Sequence, residues 1–411
     1  MAALSLLEVG LLFAAVAAAG ALGGRLGQSV IPFYILTGMA LNPSVLGVAT
    51  ERLLGSAYAL EETAFVELGA ELGIVFLLFF LGLEFNLSRL LASRERIGKA
   101  GTLDLVINFG VGLLLGFALF GDLLAAALVA GIVYISSSAI ITKSLIDLGW
   151  IANDEAEPML GILVYEDLFI AVYLAVVSAL VVGGGGLAGA AWPVAVAVGF
   201  ILVLLGFVAV GSAPLERALA NASNESMVLR VVAVTVVVAG AALAVNVSEA
   251  VAAFFVGMAF SSTTRVQRIE ELLEPLRDTF AAVFFFWIGL VTDPSLFAGV
   301  VGLIAAAVVV TTPTKLLSGY LGGRVYDLDE RRSARVGLGM VTRGEFSLII
   351  AAVALGGQSS GAIPPGVASD IAAFAVGYVL VMSVLGTTLM RYADALWARV
   401  GPRVVGLEPA D

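Results

Sequence analysis

Long apolar runs recur along the whole chain and are separated by short polar breaks. Most runs reach the ~20 residues that an α-helix needs to cross the hydrocarbon core of a bilayer. The second and ninth are shorter, which a tilted or broken helix or a locally thinned membrane can accommodate. No break is long enough for a second, soluble domain. The pattern predicts an all-α integral membrane protein with about 13 transmembrane helices, at residues 4–22, 27–42, 64–86, 100–120, 122–145, 156–183, 192–211, 227–246, 248–262, 274–291, 297–322, 334–356 and 366–391.

The basic residues test this count, because cytoplasmic loops carry an excess of Lys and Arg. Each loop is numbered by the two apolar runs that it joins. Outside the runs, nearly all Lys and Arg residues fall in loops 1–2, 3–4, 7–8, 9–10 and 11–12 or in the tail, and Lys143 ends the fifth run. Only Arg52 lies on the opposite side. The pattern predicts an outside N-terminus and a cytoplasmic C-terminus in a prokaryotic cell membrane. Since no basic residue precedes the first run, we expect a retained helix and not a cleaved signal peptide.

Composition narrows the class of protein. The chain of 411 residues is 60% hydrophobic and 13% charged, which excludes a soluble enzyme of this size. It has no Cys and no His, so thiol chemistry, the usual zinc sites and the usual proton shuttle are absent. A net charge of −11 argues against nucleic acid as a partner. Any proton that this protein moves must therefore be carried by a carboxylate or a lysine, and we expect neither a cofactor nor an enzymatic activity.

Two pairs of short segments indicate an internal repeat. FFLGLEFNLS at 79–88 resembles FWIGLVTDPS at 286–295, an offset of 207 residues that also pairs Asn108 with Lys315. GMAL at 38–41 resembles GMAF at 257–260 at a larger offset, so loop 2–3 should be longer than loop 9–10. An odd number of spans separates the copies, which inverts one repeat relative to the other. Inverted repeats are typical of secondary transporters, whose sites lie near the midplane between the repeats.

Polar residues in the middle of two apolar runs predict broken helices. The fifth run carries three hydroxyls that can satisfy backbone groups freed by unwinding, although serines in an intact helix remain an alternative. The equivalent twelfth run contains Gly344, which permits a break. Two broken spans would cross at the midplane with helix ends facing one another. The residues concerned are Ser136, Ser137, Ser138, Thr342, Arg343 and Glu345.

Charged residues inside the runs are candidates for compensating these helix ends. Glu345 would offset the N-terminal ends, and Lys315 the C-terminal ends. The alternative is that Arg343 and Glu345 pair with each other near the cytoplasmic surface.

The sixth run carries an acidic pair, Glu166 and Asp167, far from either end. Ionisable residues inside a membrane are costly and mark functional sites by default. A carboxyl group shielded from water and beside a second acid can hold a proton near neutral pH and exchange it for a cation. Because neighbouring helix residues point about 100° apart, we expect only one of the two to face the crossing.

Together these segments resemble the monovalent cation:proton antiporter-2 family, and within it the KefC/KhtU-type potassium:proton antiporters. The resemblance covers essentially the whole chain. It is carried by LFFLGLEFNLSRL, LVINFGVGLL, ISSSAIITKSLIDL, LGILVYEDLFIAVYL, FFFWIGLVTDP and TRGEFSLIIAA.

The resemblance implies a dimeric elevator antiporter with an NhaA/NapA-like fold. The dimerisation domain would comprise residues 1–98 and 225–294, and the mobile core would comprise 99–186 and 295–393. A linker span at 187–224 and a tail at 394–411 complete the chain.

The resemblance also implies residue roles. Asp167 falls on the family's ion-binding aspartate, where it would hold a monovalent cation. Glu166 falls where sodium-transporting relatives have a second Asp, and Lys315 falls on the core-domain lysine. The chain resembles members whose cytoplasmic regulator, of the TrkA-C type, is a separate polypeptide. We therefore expect exchange of K⁺ for H⁺, with membrane lipid and a homodimer as the other partners.

Three alternatives remain open at this point. A sodium:proton antiporter of the same family would tolerate the acidic pair and Lys315. An ion-coupled symporter of an organic solute would need a roomier, more polar cavity. An intramembrane protease is disfavoured, because no His is present and no GxGD motif follows a Tyr-Asp pair.

Overall fold

The computed structural model describes residues 6–48, 51–52, 62–84, 87–182, 195, 199–200, 202–204, 206, 214–220, 223–244, 249–292 and 294–404. Its regular elements are helical throughout these ranges. The α-helices are α1 Leu6–Leu26, α2 Ile31–Leu41, α3 Ala64–Glu84, α4 Leu87–Phe120, α5 Leu123–Tyr134, α6 Ser138–Asp147, α7 Ala156–Val182, α8 Asn224–Ala244, α9 Glu249–Ser261, α10 Val266–Val291, α11 Phe297–Val325, α12 Glu330–Gly339, α13 Glu345–Ser360, α14 Pro365–Arg391 and α15 Ala393–Val404.

Helix length and hydropathy confirm a multi-pass membrane architecture. Seven of the described helices are long and apolar enough to cross a bilayer, and α2, α5 and α9 are shorter apolar helices. Each predicted run except the seventh coincides with one helix or with a broken pair of helices. The seventh run, 192–211, lies largely outside the described residues, so the count of thirteen spans stays a prediction.

The basic segments beside the spans are helical, which corrects their assignment as loops. α4 begins at Leu87 and continues to Phe120, so Arg94, Arg96 and Lys99 lie within it. α10 begins at Val266, eight residues before the predicted start at 274. Charged residues do not end a helix, because Arg, Lys and Glu are good helix formers. Hydropathy therefore located the apolar part of each helix but not the polar extension beyond the bilayer.

The internal repeat is present in the structure. Residues 135–137 and 342–344 interrupt their spans, and the two breaks are related by the same 207-residue offset that was read from the sequence. The pairs α4 and α11, α5 and α12, α6 and α13, and α7 and α14 follow one another in the same order. The first repeat also has the longer second loop, from Leu41 to Ala64, compared with Ser261 to Val266.

Two equivalent glycine contacts join the repeats. A β-carbon on Gly38 of α2 would overlap the Phe286 carbonyl oxygen of α10, and one on Gly289 would overlap the Ile35 carbonyl oxygen. Contacts of this kind bring helix backbones together where any larger residue would separate them.

The second contact joins α3 of the first repeat to α9 of the second repeat in the same way. In α9 and α3, Gly257 faces the Phe79 carbonyl oxygen and Gly82 faces that of Phe254. Both sequence matches that suggested the repeat, GMAL with GMAF and the pair around Gly82 and Gly289, are therefore the same packing device used twice.

Contacts between the ends of the spans respect the predicted sidedness. On the side assigned to the outside, Trp287 Nε1 donates to Glu62 at 2.6 Å and Ser360 Oγ donates to the Val181 carbonyl at 2.7 Å. On the side assigned to the cytoplasm, Thr387 Oγ1 donates to Gln28 Oε1 at 2.7 Å. Each bond joins two loops or helix ends that the span count places on the same side.

Candidate functional site

The two broken spans meet at their interruptions. After α5, residues 135–137 are extended before α6 begins at Ser138, and α12 is followed by a non-helical stretch that ends at Gly344. The Ser137 N–H donates to the Thr342 carbonyl at 3.2 Å, so the two unwound segments share a backbone hydrogen bond. Gly344 is required there because a β-carbon would overlap the Ser137 hydroxyl oxygen. The predicted crossing is therefore present.

The N-terminal ends of the half-helices are met by Glu345. This residue begins α13, and its Oε2 accepts a 2.7 Å hydrogen bond from the hydroxyl of Ser137, which immediately precedes α6. A carboxylate at this point stabilises the positive ends of both helix dipoles.

The C-terminal ends of the half-helices are met by the two buried bases. Arg343 donates from Nε to the Val133 carbonyl at 2.9 Å and from Nη1 to the carbonyls of residues 340–342 at 2.9–3.1 Å. Lys315 donates to the Tyr134 carbonyl at 3.2 Å. Both side chains are fully buried and Glu345 is 4% exposed. These residues therefore lie in the interior and not near a surface.

Glu166 and Asp167 both contact the broken fifth span. Glu166 accepts bonds from the Ser136 backbone N–H at 2.7 Å and from its hydroxyl at 3.0 Å. Asp167 accepts a longer bond from the Ser138 hydroxyl at 3.3 Å. The expectation that only one of the pair faces the crossing is therefore wrong. The reason is that the chain passes from extended residues 135–137 into α6 at Ser138, so that the hydroxyls of Ser136 and Ser138 contact neighbouring residues of α7.

A third carboxylate, Asp104 of α4, completes the site and was not predicted from the sequence. Lys315 Nζ contacts Asp104 Oδ2 at 2.7 Å and Glu166 Oε1 at 2.6 Å. Asp104 also accepts hydrogen bonds from Asn108 Nδ2 at 2.9 Å and from Ser318 Oγ at 2.6 Å. The buried polar network thus extends from the crossing to the contact between α4 and α11.

Acids outnumber bases among the buried groups described around the crossing. Removing charge from water is costly unless an opposite charge compensates it. Fully ionised, this cluster of four acids and two bases has a net charge of −2, which a proton or a monovalent cation can reduce. Its members are the acids Asp104, Glu166, Asp167 and Glu345 and the bases Lys315 and Arg343.

Comparison with known proteins identifies the family of this chain. The family described as sodium/hydrogen exchanger, transmembrane, matches residues 11–393, which is nearly the whole chain. The chain belongs to the sodium/hydrogen exchanger family. All the predicted site residues lie inside the matched region.

Several curated proteins resemble this exchanger over most of its length. The K⁺/H⁺ antiporter subunit KhtU of Bacillus subtilis is 36% identical over 392 residues, which is 95% of this chain and 94% of that protein. The ammonium/H⁺ antiporter subunit AmhT of Alkalihalophilus pseudofirmus is 30% identical over 357 residues, 86% of each chain.

A solved structure shares the exchanger's fold. The sodium proton antiporter MjNhaP1 from Methanocaldococcus jannaschii superposes with a TM-score of 0.70 at 15% identity, covering 95% of this chain and 99% of that one. At this identity the likeness shows the fold alone. The sequence-based prediction of the family and of the antiporter fold is therefore confirmed.

A second charged cluster closes one end of the exchanger's bundle. Arg335 of α12 contacts Glu155 at 2.6 Å and Asp394 of α15 at 2.6 Å. Its guanidinium carbon lies 4.9 Å from the centroid of the Trp150 ring. Trp150 and Glu155 belong to the connection between α6 and α7, so this cluster ties both broken spans to the last helix. It was not predicted, because its members are far apart in sequence.

Proposed function

We propose that this exchanger is a secondary active antiporter that moves a monovalent cation against protons, with K⁺ as the first candidate. The observation that carries the proposal is the acidic pair Glu166 and Asp167, buried against the crossing of two broken helices in a chain of this family. The name of the KhtU relative supports potassium. No step of this exchange requires a cofactor.

Asp167 is the proposed carrier of cation or proton. The Glu166 carboxylate is already bonded to Ser136 and Lys315, and Asp167 is the residue that falls on the position of the family's ion-binding aspartate. A carboxylate that binds a proton or a cation in turn couples the two fluxes, because both cannot occupy it together. The proposed mechanism is alternating access to this one site.

Unpaired polar atoms support a site for a small hydrated ion at the crossing. Among the described residues, the buried atoms without a hydrogen-bond partner include Tyr134 Oη, Thr342 Oγ1 and Arg343 Nη2. All three residues border the two breaks. Buried polar groups are normally satisfied, so such atoms suit a place where water or a transported ion arrives and leaves.

We infer an elevator arrangement in which residues 99–186 and 295–393 move against residues 1–98 and 225–294, with 187–224 as the linker. Because α4 is continuous from Leu87, its part before residue 99 moves with the core. The packing supports this division. α2 contacts α10 and α3 contacts α9 in one group, whereas α4 contacts α5 and α11 and α13 contacts α14 in the other. A homodimer formed through the first group would anchor it while the second moves.

The proposed location is the cell membrane, with the N-terminus outside and the C-terminus in the cytoplasm. The sidedness of the basic residues supports this orientation. We further propose a separate soluble regulator of the TrkA-C type at the cytoplasmic ends.

The experiment is a proton-flux assay with the purified chain in liposomes, comparing K⁺, Na⁺, Rb⁺, Li⁺ and NH₄⁺ at several pH values. Sodium is the alternative within the family, and the AmhT relative is the reason to include ammonium. Proton release driven by K⁺ but not by choline supports the proposal. Proton flux that ignores every monovalent cation would refute it.

A further inference from the structure

Lys315 is shared between two carboxylates that belong to different helices. Its ammonium nitrogen is 2.7 Å from Asp104 of α4 and 2.6 Å from Glu166 of α7. All three side chains are completely buried. A single positive charge in the interior is therefore divided almost evenly between a residue of the crossing and a residue outside it.

The environment of Asp104 is fixed by intact helices. Besides Lys315, its donors are Asn108, one turn along α4, and Ser318 of α11. Thr314 Oγ1 in turn donates to Asn108 Oδ1 at 3.0 Å and holds that amide in place. None of these residues belongs to the unwound segments, so these partners of Asp104 do not depend on the local geometry of the crossing.

Glu166, unlike Asp104, is bonded to a residue of an unwound segment. Apart from Lys315, the hydrogen-bond donor described for it is Ser136, through both its backbone N–H and its hydroxyl. Ser136 lies in the break itself. Glu166 is also adjacent to the proposed ion carrier, so any charge on its surroundings acts on the transported cation.

We propose that Asp104 is the resident counter-ion of Lys315, a positioning residue that keeps the lysine charge from neutralising the acidic pair at the crossing. This inference rests on the proposed antiport function. With Asp104 ionised, Asp104 and Lys315 form an internally neutral pair, and Glu166 and Asp167 keep their attraction for a cation. Without it, the ammonium is left to Glu166 alone and repels the incoming ion.

The repulsion between the Lys315 ammonium and an incoming cation sets the size of the effect. An uncompensated positive charge within several ångströms of a buried cation site strongly weakens cation binding at the effective dielectric constants of protein interiors. Since about 1.4 kcal/mol is a factor of ten in affinity, Asp104→Asn should raise the half-saturating K⁺ concentration about tenfold or more. The maximal rate should change much less, because the carrier Asp167 is intact.

The test is a double-mutant cycle of Asp104→Asn, Lys315→Gln and the double variant, in liposomes and by thermal unfolding in detergent. Removing both charges restores the net charge of the cluster, so the double variant should return to within about threefold of the wild-type half-saturation. Asp104→Glu, which keeps the charge, should have a half-saturating K⁺ concentration closer to that of wild type than Asp104→Asn has. Thr311→Val is the matched control, because Thr311 is the repeat equivalent of Asp104 and is buried but uncharged.

Each outcome decides the proposal. A folded Asp104→Asn protein with wild-type half-saturation overturns it, as does a double variant that is as impaired as Asp104→Asn. If Asp104→Asn does not fold, a stable double variant with near-normal half-saturation supports the proposal, and an unstable one refutes it. A wild-type protein without cation-driven proton flux would defeat the antiport function instead, and the unfolding cycle would still report whether Asp104 and Lys315 are coupled.

Discussion

Glu166 and Asp167 are neighbours in the chain but have different partners. Glu166 is bonded to Lys315 and to a backbone N–H of the break, whereas the Ser138 hydroxyl lies 3.3 Å and 3.4 Å from the two carboxylate oxygens of Asp167. A residue with strong fixed partners suits a supporting role. Asp167, at the position of the family's ion-binding aspartate, is the proposed site of exchange of a proton for a cation.

Substitutions of Asp167 and of Glu166 should therefore have different effects on exchange. Asp167→Asn keeps the shape of the side chain but removes its charge, so we expect exchange to fall to the level of empty liposomes while the protein remains folded. Glu166→Gln should retain exchange with an altered cation preference. Proton-flux assays on both variants, with size-exclusion profiles as the folding control, check this. Equal loss in both would mean that the two acids act as a unit.

Lys315 is expected to matter more for stability than for turnover. Lys315→Gln leaves Asp104 and Glu166 buried without their base, and breaking a buried ion pair typically costs about 3–5 kcal/mol. Thermal unfolding in detergent should show a large decrease, with residual transport in the protein that remains folded. A variant of normal stability without transport would assign Lys315 to the transport cycle instead.

The sequence predicts most of this site but not Asp104. Nine residues found at the crossing carry polar groups in the middle of apolar runs, where any such group is conspicuous. Asp104 lies only four residues inside the apolar run predicted to begin at 100. From the sequence alone, Asp104 would therefore lie at a helix end. In the structure α4 begins at Leu87, which places Asp104 well within the helix. Its spacing from Asn108, one helical turn, was the available signal.

The broken helices could be predicted from the sequence because polar interruptions occur at equivalent positions in both repeats. Either interruption alone could be an intact helix with polar residues, but their common offset makes independent coincidence improbable. The ends of α4 and α10 were not predictable from hydropathy, since their charged first turns continue the helix outside the bilayer.

α15 is held to α12 by a charged contact that should depend on pH. The hydrogen bond from Arg335 lowers the pKa of Asp394, assisted by Arg331. A carboxyl group with a lowered pKa contributes stability above its ordinary titration range and loses it as the pH falls through the shifted value. We expect Asp394→Asn to cost roughly 1 kcal/mol at neutral pH, as is usual for a partly exposed ion pair.

This difference should vanish in acid. Thermal unfolding of wild type and Asp394→Asn from pH 7 down to about pH 2 measures it, because the lowered pKa of Asp394 lies below the ordinary value for Asp. If the difference in stability between wild type and Asp394→Asn is unchanged at the lowest pH, the contact is not electrostatic.

At the scale of the whole molecule, an exchanger that dissipates a cation gradient needs a gate. The helix ends that are predicted to face the cytoplasm carry exposed basic side chains on α4, α10 and α12, which also suit contact with anionic lipid. We expect the tagged chain, purified gently from its native host, to bring a soluble regulatory subunit with it. Recovery of the homodimer alone, already fully regulated by pH in liposomes, would place the gate within the 411 residues.

The paired glycine contacts have a consequence for biosynthesis. Each contact joins a helix of one repeat to a helix of the other, and the nearby bond from Asn42 to the Leu290 carbonyl spans 248 residues. At about 5–20 residues per second, α2 leaves the ribosome on the order of 10–50 seconds before its partner α10 exists. The short α2 must wait in the bilayer with its glycine face uncovered. Neither half of the chain can therefore mature alone, and a truncation before α10 should be a substrate for membrane proteases.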